Sequence, residues 1–311
     1  MKKKLLILGK TGMVGSSIIR LASKKYFNIL SPSRKELDLF DKRKVQAYFR
    51  KQKPDIIILA AARVGGIYAN DNYSADFIYE NILIQTNVIS SAHEEQVKKL
   101  VFLASSCIYP KQSKQPIKEE YLLSGKLEET NESYAVAKIS GIKMIEAFRR
   151  QYNDNFISVM PTNIYGINDN FHNMNSHVVP ALILKFYNAV INNDNKVFLW
   201  GTGKAKRDLM YVDDLADAVL YIVNYYNKKE LINIGSGEEI SIKSLAKKIS
   251  NIFNYKGKII FDNKHPDGTL RKLLDISKIN KIGWKKKYSL DQGLKKTIDW
   301  FLNNQKKIKN K

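Results

Sequence analysis

Cysteine is nearly absent from this 311-residue chain, in which Cys107 stands alone. A single thiol excludes an intrachain disulfide framework, and no metal-type Cys/His cluster is spelled out. A reducing, cytoplasmic setting is the expectation that follows. Long apolar runs are missing as well. Lys2, Lys3 and Lys4 ahead of residues 5–8 imitate the opening of a signal peptide. The run stops at Gly9-Lys10, short of the roughly 7–15 residues such a segment needs. Nothing approaches the roughly 20 residues of a membrane span, so no membrane partner is expected. Acidic residues are also scarce, 30 against 52 Lys and Arg, for a formal charge of +22. Such an excess invites a nucleic-acid reading. The lysines, however, are spread along the whole chain, and only residues 306–311 form a dense run. No nucleic-acid partner is expected, and the positive field suits a small polyanionic substrate.

What is present is a globular composition, 44% hydrophobic and 26% charged, too apolar for a disordered chain. Short β-branched runs at 5–8, 27–30, 56–59, 100–103 and 156–160 alternate with helical patterns at 13–25, 42–51 and 75–95. A further helix, which Thr130 or Asn131 can cap, carries the apolar face Ala135, Ile139, Ile142, Ile145 and Phe148. The expected fold class is α/β, a Rossmann-type doubly wound parallel sheet with a smaller α/β C-terminal substrate lobe. After Pro161 the rhythm loosens into a loop reaching about residue 176. Strands are then expected at 197–199, 231–234 and 259–261, with helices at 213–226, 241–253 and 290–304. The expected division is a dinucleotide-binding domain over 1–160, rejoined by about 204–226, and a substrate lobe from 161–203 and 227–311.

Gly9-Lys10-Thr11-Gly12-Met13-Val14-Gly15 follows the first strand and opens the first helix. Gly9, Gly12 and Gly15 permit a tight turn and close approach to a pyrophosphate, which rests with Met13 and Val14 on the helix N-terminus. The spacing is GxxGxxG, one residue longer at the first interval than the GxGxxG fingerprint. An acidic residue ending the second strand would hold the ribose 2′-hydroxyl of NAD. The chain instead reads Ser31-Pro32-Ser33-Arg34-Lys35, and Arg34 can take a 2′-phosphate bidentately, so NADP(H) is the expected cofactor. Glu36 lies close enough to offer the alternative.

Tyr134 and Lys138 stand at i and i+4 on one helical face. A phenol near pKa 10 is a poor acid or base at neutral pH, and an adjacent ammonium would lower that value. Ser105 falls just past the fourth strand, where open α/β sheets bind ligands, and can hydrogen-bond a carbonyl oxygen that Tyr134 protonates. Cys107 lies two residues on, so an extended chain would point it the same way as Ser105.

The strand-initial glycine loop, Ser105 and the YxxxK pair resemble the extended short-chain dehydrogenase/reductase family. Residues 60–67 (AAARVGGI), 105–110 (SSCIYP), 160–166 (MPTNIYG), 169–172 (DNFH), 175–177 (NSH), 200–203 (WGTG) and 266–269 (PDGT) resemble its GDP-L-fucose synthase branch more closely. That branch epimerises a GDP-4-keto-6-deoxymannose at C3 and C5 and then reduces C4. The resemblance implies epimerisation acid/base roles for Cys107 and His177. It places Ala61, Pro161, Asn163, Ile164 and His177 with the cofactor, and Lys185, Trp200, Arg207 and Asp267 with the GDP-sugar substrate, Lys272 being a further candidate. It also implies a homodimer built on helices 75–95 and 131–152. No metal is required, because Ser105 and Tyr134 can stabilise the developing oxyanion. The family often carries arginine where this chain has Thr11 and Lys185. Rival readings are another GDP-4-keto sugar (dideoxy or heptose), a nucleotide-sugar 4-epimerase, and a non-catalytic dinucleotide-binding protein.

Overall fold

The computed structural model describes residues 2–22, 26–172, 176–264 and 269–308. Strand β1 (Lys3–Leu8) buries its last four residues, as a continuous apolar run does when helices cover both sheet faces. Helix α1 (Met13–Leu21), β2 (Phe27–Leu30) and α2 (Lys42–Gln52) follow. The Asp41 side chain caps α2 by accepting from Lys44 N at 3.2 Å. Next come β3 (Ile56–Leu59), α3 (Ile67–Asn72), α4 (Ser74–Glu94), β4 (Lys99–Leu103), α5 (Glu132–Tyr152) and β5 (Phe156–Pro161). The later elements are β6 (Asn163–Tyr165), α6 (Val178–Ile191), β7 (Lys196–Trp200), β8 (Lys206–Tyr211), α7 (Val212–Tyr225) and β9 (Ile232–Ile234). The chain ends with β10 (Glu239–Ser241), α8 (Ile242–Ile252), β11 (Lys258–Asp262), β12 (Arg271–Lys272), α9 (Ser277–Lys281), α10 (Leu290–Asn303) and α11 (Gln305–Ile308).

Six strands form one parallel sheet in the order β2-β1-β3-β4-β5-β9, which bears out the doubly wound fold expected. From β1 the chain steps one way to β2 and then back across to β3, so the strand order reverses at β1/β3 and opens a crevice beyond their carboxyl ends. One face of the sheet packs on α2, α4 and α5 through Phe49, Val88, Ile142 and Ile145. The other packs on α1 and α7 through Ile18, Leu215, Val219 and Ile222. The buried Lys99 ammonium ties α7 to the sheet by donating to Ile222 O, Val223 O and Tyr226 O at 2.9, 2.8 and 2.7 Å. Val223 O is one of the carbonyls a helix C-terminus leaves unmatched, while Ile222 O accepts from Tyr226 N as well.

The second lobe gathers β6, β8, β10 and β12 into one small sheet and β7 with β11 into another. Helices α6, α8 and α10 cover them around Phe186, Leu245, Ile249 and Phe301. The division of the chain departs from expectation at three places. Ile232–Ile234, expected in the second lobe, is wholly buried and pairs with β5 as the sixth strand of the main sheet. Ile279 and Trp284 likewise join the core beneath that sheet. Conversely β8, expected to rejoin the first domain, pairs only within the second lobe, and the return begins at α7. Helix α1 stops at Leu21, with Ala22 extended, and residues 23–25 of the expected span lie outside the described residues. Asn131 is the residue preceding α5, but no side-chain bond caps that helix.

Candidate active site

The glycine loop crosses the β1/β3 switch point. Gly9 has φ +105°, and a Cβ there would stand 2.8 Å from Ala61 N, so only a bare backbone lets β1 and β3 close on each other. A Cβ on Gly15 would collide with the Gly9 carbonyl oxygen. The first N–H groups of an α-helix have no partner within it, and Met13, Val14 and Gly15, which open α1, line this crevice. Bare backbone and free donors at a helix N-terminus fit a dinucleotide pyrophosphate. Past β2, Arg34 lines the same crevice with its Cζ 5.0 Å from the Phe40 ring centroid. Glu36, the rival carboxylate, is held by Ser33 N and Ser33 Oγ at 2.6 and 2.7 Å.

The crevice is one end of a cavity of about 1030 Å³ between the two lobes. Its wall holds Gly9, Gly12, Met13, Val14, Gly15, Arg34, Ala61, Pro161, Asn163 and Ile164. It also holds Ser105, Cys107, Tyr134, Lys138, His177, Lys185, Trp200, Arg207 and Lys272. Asp267 lies outside the described residues.

At the centre, Ser105 is extended (φ −160°, ψ 152°), but residues Ser106–Ile108 wind into a 3₁₀ turn. The expectation of an extended Ser105–Cys107 segment is therefore corrected. The turn forms because Ser105 Oγ accepts from Cys107 N at 3.4 Å, a local bond that competes with continued strand. Cys107 is buried, which pushes its thiol pKa up. Lys272, Ser105 and Lys138 pull it partly back. Lys138 projects from α5 across the end of β4, donating to Leu103 O at 2.9 Å. Its Nζ stands 4.7 Å from the Phe102 ring centroid and 5.7 Å from that of Tyr134.

Burial takes the Lys138 pKa down to about 8, against a raising influence of Cys107. Tyr134 moves opposite to the sequence expectation. Enclosure, and then Cys107, raise its phenol pKa. An ammonium that is itself desolvated and engaged with a carbonyl does not offset the enclosure of the ring.

His177 is the residue before α6 and its carbonyl accepts from Ala181 N at 3.0 Å, starting that helix. The residue stays open to the cavity, while the walls around it, and then Lys272, lower the imidazole pKa. Lys185 on α6 donates to Phe198 O at 2.7 Å and so braces α6 on β7, where the exposed Trp200 ends the strand. Arg207 and Lys272 are register neighbours on β8 and β12. Arg207 Nη1 donates to Lys206 O and Thr269 O at 2.8 and 2.6 Å. Asn163 Nδ2 donates to Asp208 O at 3.1 Å, joining β6 to β8 beneath the cavity.

With this geometry in view, residues 5–235 match the model of the NAD dependent epimerase/dehydratase family. The chain belongs to this family. GDP-L-fucose synthase 1 of Arabidopsis thaliana is 50% identical over 302 residues, 97% of this chain and 94% of that one. GDP-L-fucose synthase of Escherichia coli (strain K12) is 46% identical over 318 residues, 99% of each. A crystal structure of a GDP-L-fucose synthetase from Naegleria fowleri bound to NADP superposes with TM-score 0.91 at 28% identity, covering 98% of this chain and 96% of the other. The resemblance read from the motif strings is borne out. This family member is an enzyme that uses a nicotinamide dinucleotide. Among the described residues no helix is long and apolar enough to cross a membrane.

Sequence reasoning passed over several cavity residues. Asn70 and Asn131 line the wall, and each keeps a buried side-chain oxygen without a partner among the described residues. Asn70 spends its amide N–H groups on Gly65 O and Gly66 O, shaping the loop after β3. Lys10, inside the glycine loop, also faces the cavity. No periodicity or spacing distinguishes these asparagines from ordinary helix and cap residues, whereas a cation beside the phosphate loop was visible in the sequence.

Proposed function

We propose that this enzyme converts GDP-4-keto-6-deoxymannose into GDP-L-fucose, by 3,5-epimerisation followed by NADPH-dependent reduction of the 4-keto group. The names of its relatives support the substrate class. The observation that carries the two-step reading is that the Cys107 thiol lines the same cavity as Ser105, Tyr134, Lys138, His177 and Lys272. A simple carbonyl reductase has no use for a second acid/base group there.

NADPH, when bound, supplies the reducing equivalent for C4. Arg34, Gly9, Gly12, Met13, Val14, Gly15, Ala61, Pro161, Asn163 and Ile164 would hold it, with Lys138 available to its ribose. Ser105 donates a hydrogen bond to the C4 oxygen of the sugar. Tyr134 gives that oxygen its proton, and a phenol held above its ordinary pKa is fully protonated at neutral pH and ready to donate. Lys138 then faces the phenolate formed. Before reduction, Cys107 and His177 remove and return the protons beside the ketone. Lys272 favours the thiolate form in which Cys107 can remove a proton, and the depressed imidazole pKa makes protonated His177 a ready donor of the proton returned on the opposite face. Lys185, Arg207 and Lys272 suit the diphosphate, and Trp200 the sugar or base.

A homodimer through α4 and α5 accords with the apolar residues these packed helices leave outward, Tyr79 at 67% and Val136 at 38% exposure. A cytoplasmic location suits the one free thiol. The test is NMR analysis of the product formed from GDP-4-keto-6-deoxymannose and NADPH in D₂O. GDP-L-fucose deuterated at C3 and C5 is expected. A reduced sugar with neither centre inverted would overturn the two-step reading.

A further inference from the structure

A salt bridge at the edge of the cofactor crevice is unused by the reaction described above. Lys10 Nζ lies 3.5 Å from Glu36 Oε2, their side chains 33% and 63% exposed. Lys10 projects from the glycine loop and lines the cavity, as do Ser33 and Arg34 at the end of β2. Glu36 is not on the cavity wall, because the Ser33 amide and hydroxyl both bind the same Oε2 that meets Lys10. Among the described residues no carboxylate pairs with Arg34, so it is available to an incoming anion. A phosphate ester at this edge would therefore find Arg34 open and Lys10 in a weak, solvent-screened pair.

We propose that Lys10 is a specificity-determining residue for NADP(H), exchanging its exposed bridge to Glu36 for the 2′-phosphate and closing on that group opposite Arg34. The exchange trades one solvent-screened carboxylate contact for a doubly charged acceptor, while Ser33 keeps Glu36 satisfied and off the phosphate. Lys10 in this role supplies the second cation that Thr11 cannot. For NADH the same residue stays on Glu36 and contributes nothing. This rests on the NADP(H) reading of the site.

The test is equilibrium titration of NADPH and NADH into the full-length protein, read by nicotinamide fluorescence, for the parent, Lys10→Gln, Lys10→Arg, Glu36→Gln and Arg34→Met. Lys10→Gln is expected to weaken NADPH about tenfold, the scale of one hydrogen bond to a charged group, with NADH unchanged. Lys10→Arg should restore NADPH, and Glu36→Gln should tighten it by removing the competitor. Equal weakening of both dinucleotides, or none, by Lys10→Gln while Arg34→Met still removes the preference would overturn the role of Lys10 and leave the NADP(H) reading standing. A parent protein with no preference for NADPH would overturn both. Thermal melts of each variant distinguish a distorted loop from a lost contact, because Lys10→Arg rescues only the latter.

Discussion

Replacing Lys138 by methionine is expected to abolish NADPH oxidation without destabilising the protein at neutral pH. The ammonium is 3% exposed and its pKa falls from the ordinary 10.5 to about 8. At about 1.4 kcal/mol per pKa unit, holding that charge in the fold costs roughly 3 kcal/mol at pH 7. Methionine fills a similar volume without the charge. It forfeits the bond to Leu103 O, and a buried carbonyl left unpaired costs about 1–3 kcal/mol. The balance at pH 7 is between zero and about 2 kcal/mol in favour of the variant.

The pH dependence has a definite sign. Below pH 8 both folded and unfolded parent carry the proton and the full cost applies. Between about 8 and 10.5 the unfolded chain holds more protons, so parental stability climbs with pH. The methionine variant lacks this gain, so its margin should fall by about 2 kcal/mol between pH 7 and 9.5. Urea unfolding followed by tryptophan fluorescence measures both values. A variant more than about 3 kcal/mol less stable at pH 7, or a difference flat with pH, would refute the reasoning.

Four further outcomes are expected. Tyr134→Phe should slow NADPH oxidation by roughly 10²–10⁴-fold, the scale of a lost general acid, while deuterium exchange at C3 and C5 persists; loss of exchange too would redistribute the roles. Cys107→Ser should stop that exchange with folding and NADPH titration intact, whereas global unfolding would make Cys107 a packing residue only. In the parent, exchange should rise with pH above neutrality because burial holds the thiol pKa up, and an exchange rate independent of pH would count against Cys107 as the base. Asn233→Leu should cost about 2–4 kcal/mol in urea unfolding, because Asn233 is wholly buried and accepts from Tyr109 Oη at 2.6 Å while donating to Ile117 O at 2.9 Å. A loss below 1 kcal/mol would mean that Tyr109 finds another partner.

Much of this fold was legible in the sequence because its signals are local. The buried strands are unbroken apolar runs, and the glycine loop sits between the first of them and a helix. Tyr134 and Lys138 meet through helical spacing alone. Helix α6 was not legible, since Val178–Ile191 is apolar on nearly every side and offers no period to read. Strand β9 is only three residues long, and nothing within it says whether it pairs with β5 or with the second lobe.

Composition, periodicity and motif spacing by themselves determined the parallel doubly wound sheet, the dinucleotide loop and the Ser105, Tyr134 and Lys138 set. Each depends on neighbours close in the chain or on strand ends whose position the topology dictates. Only the tertiary structure decided that Cys107 sits on a 3₁₀ turn, that enclosure raises the Tyr134 pKa despite Lys138, and that Lys10 meets Glu36. Desolvation and charge pairing depend on the distance and dielectric between segments far apart in sequence, and no local pattern encodes either.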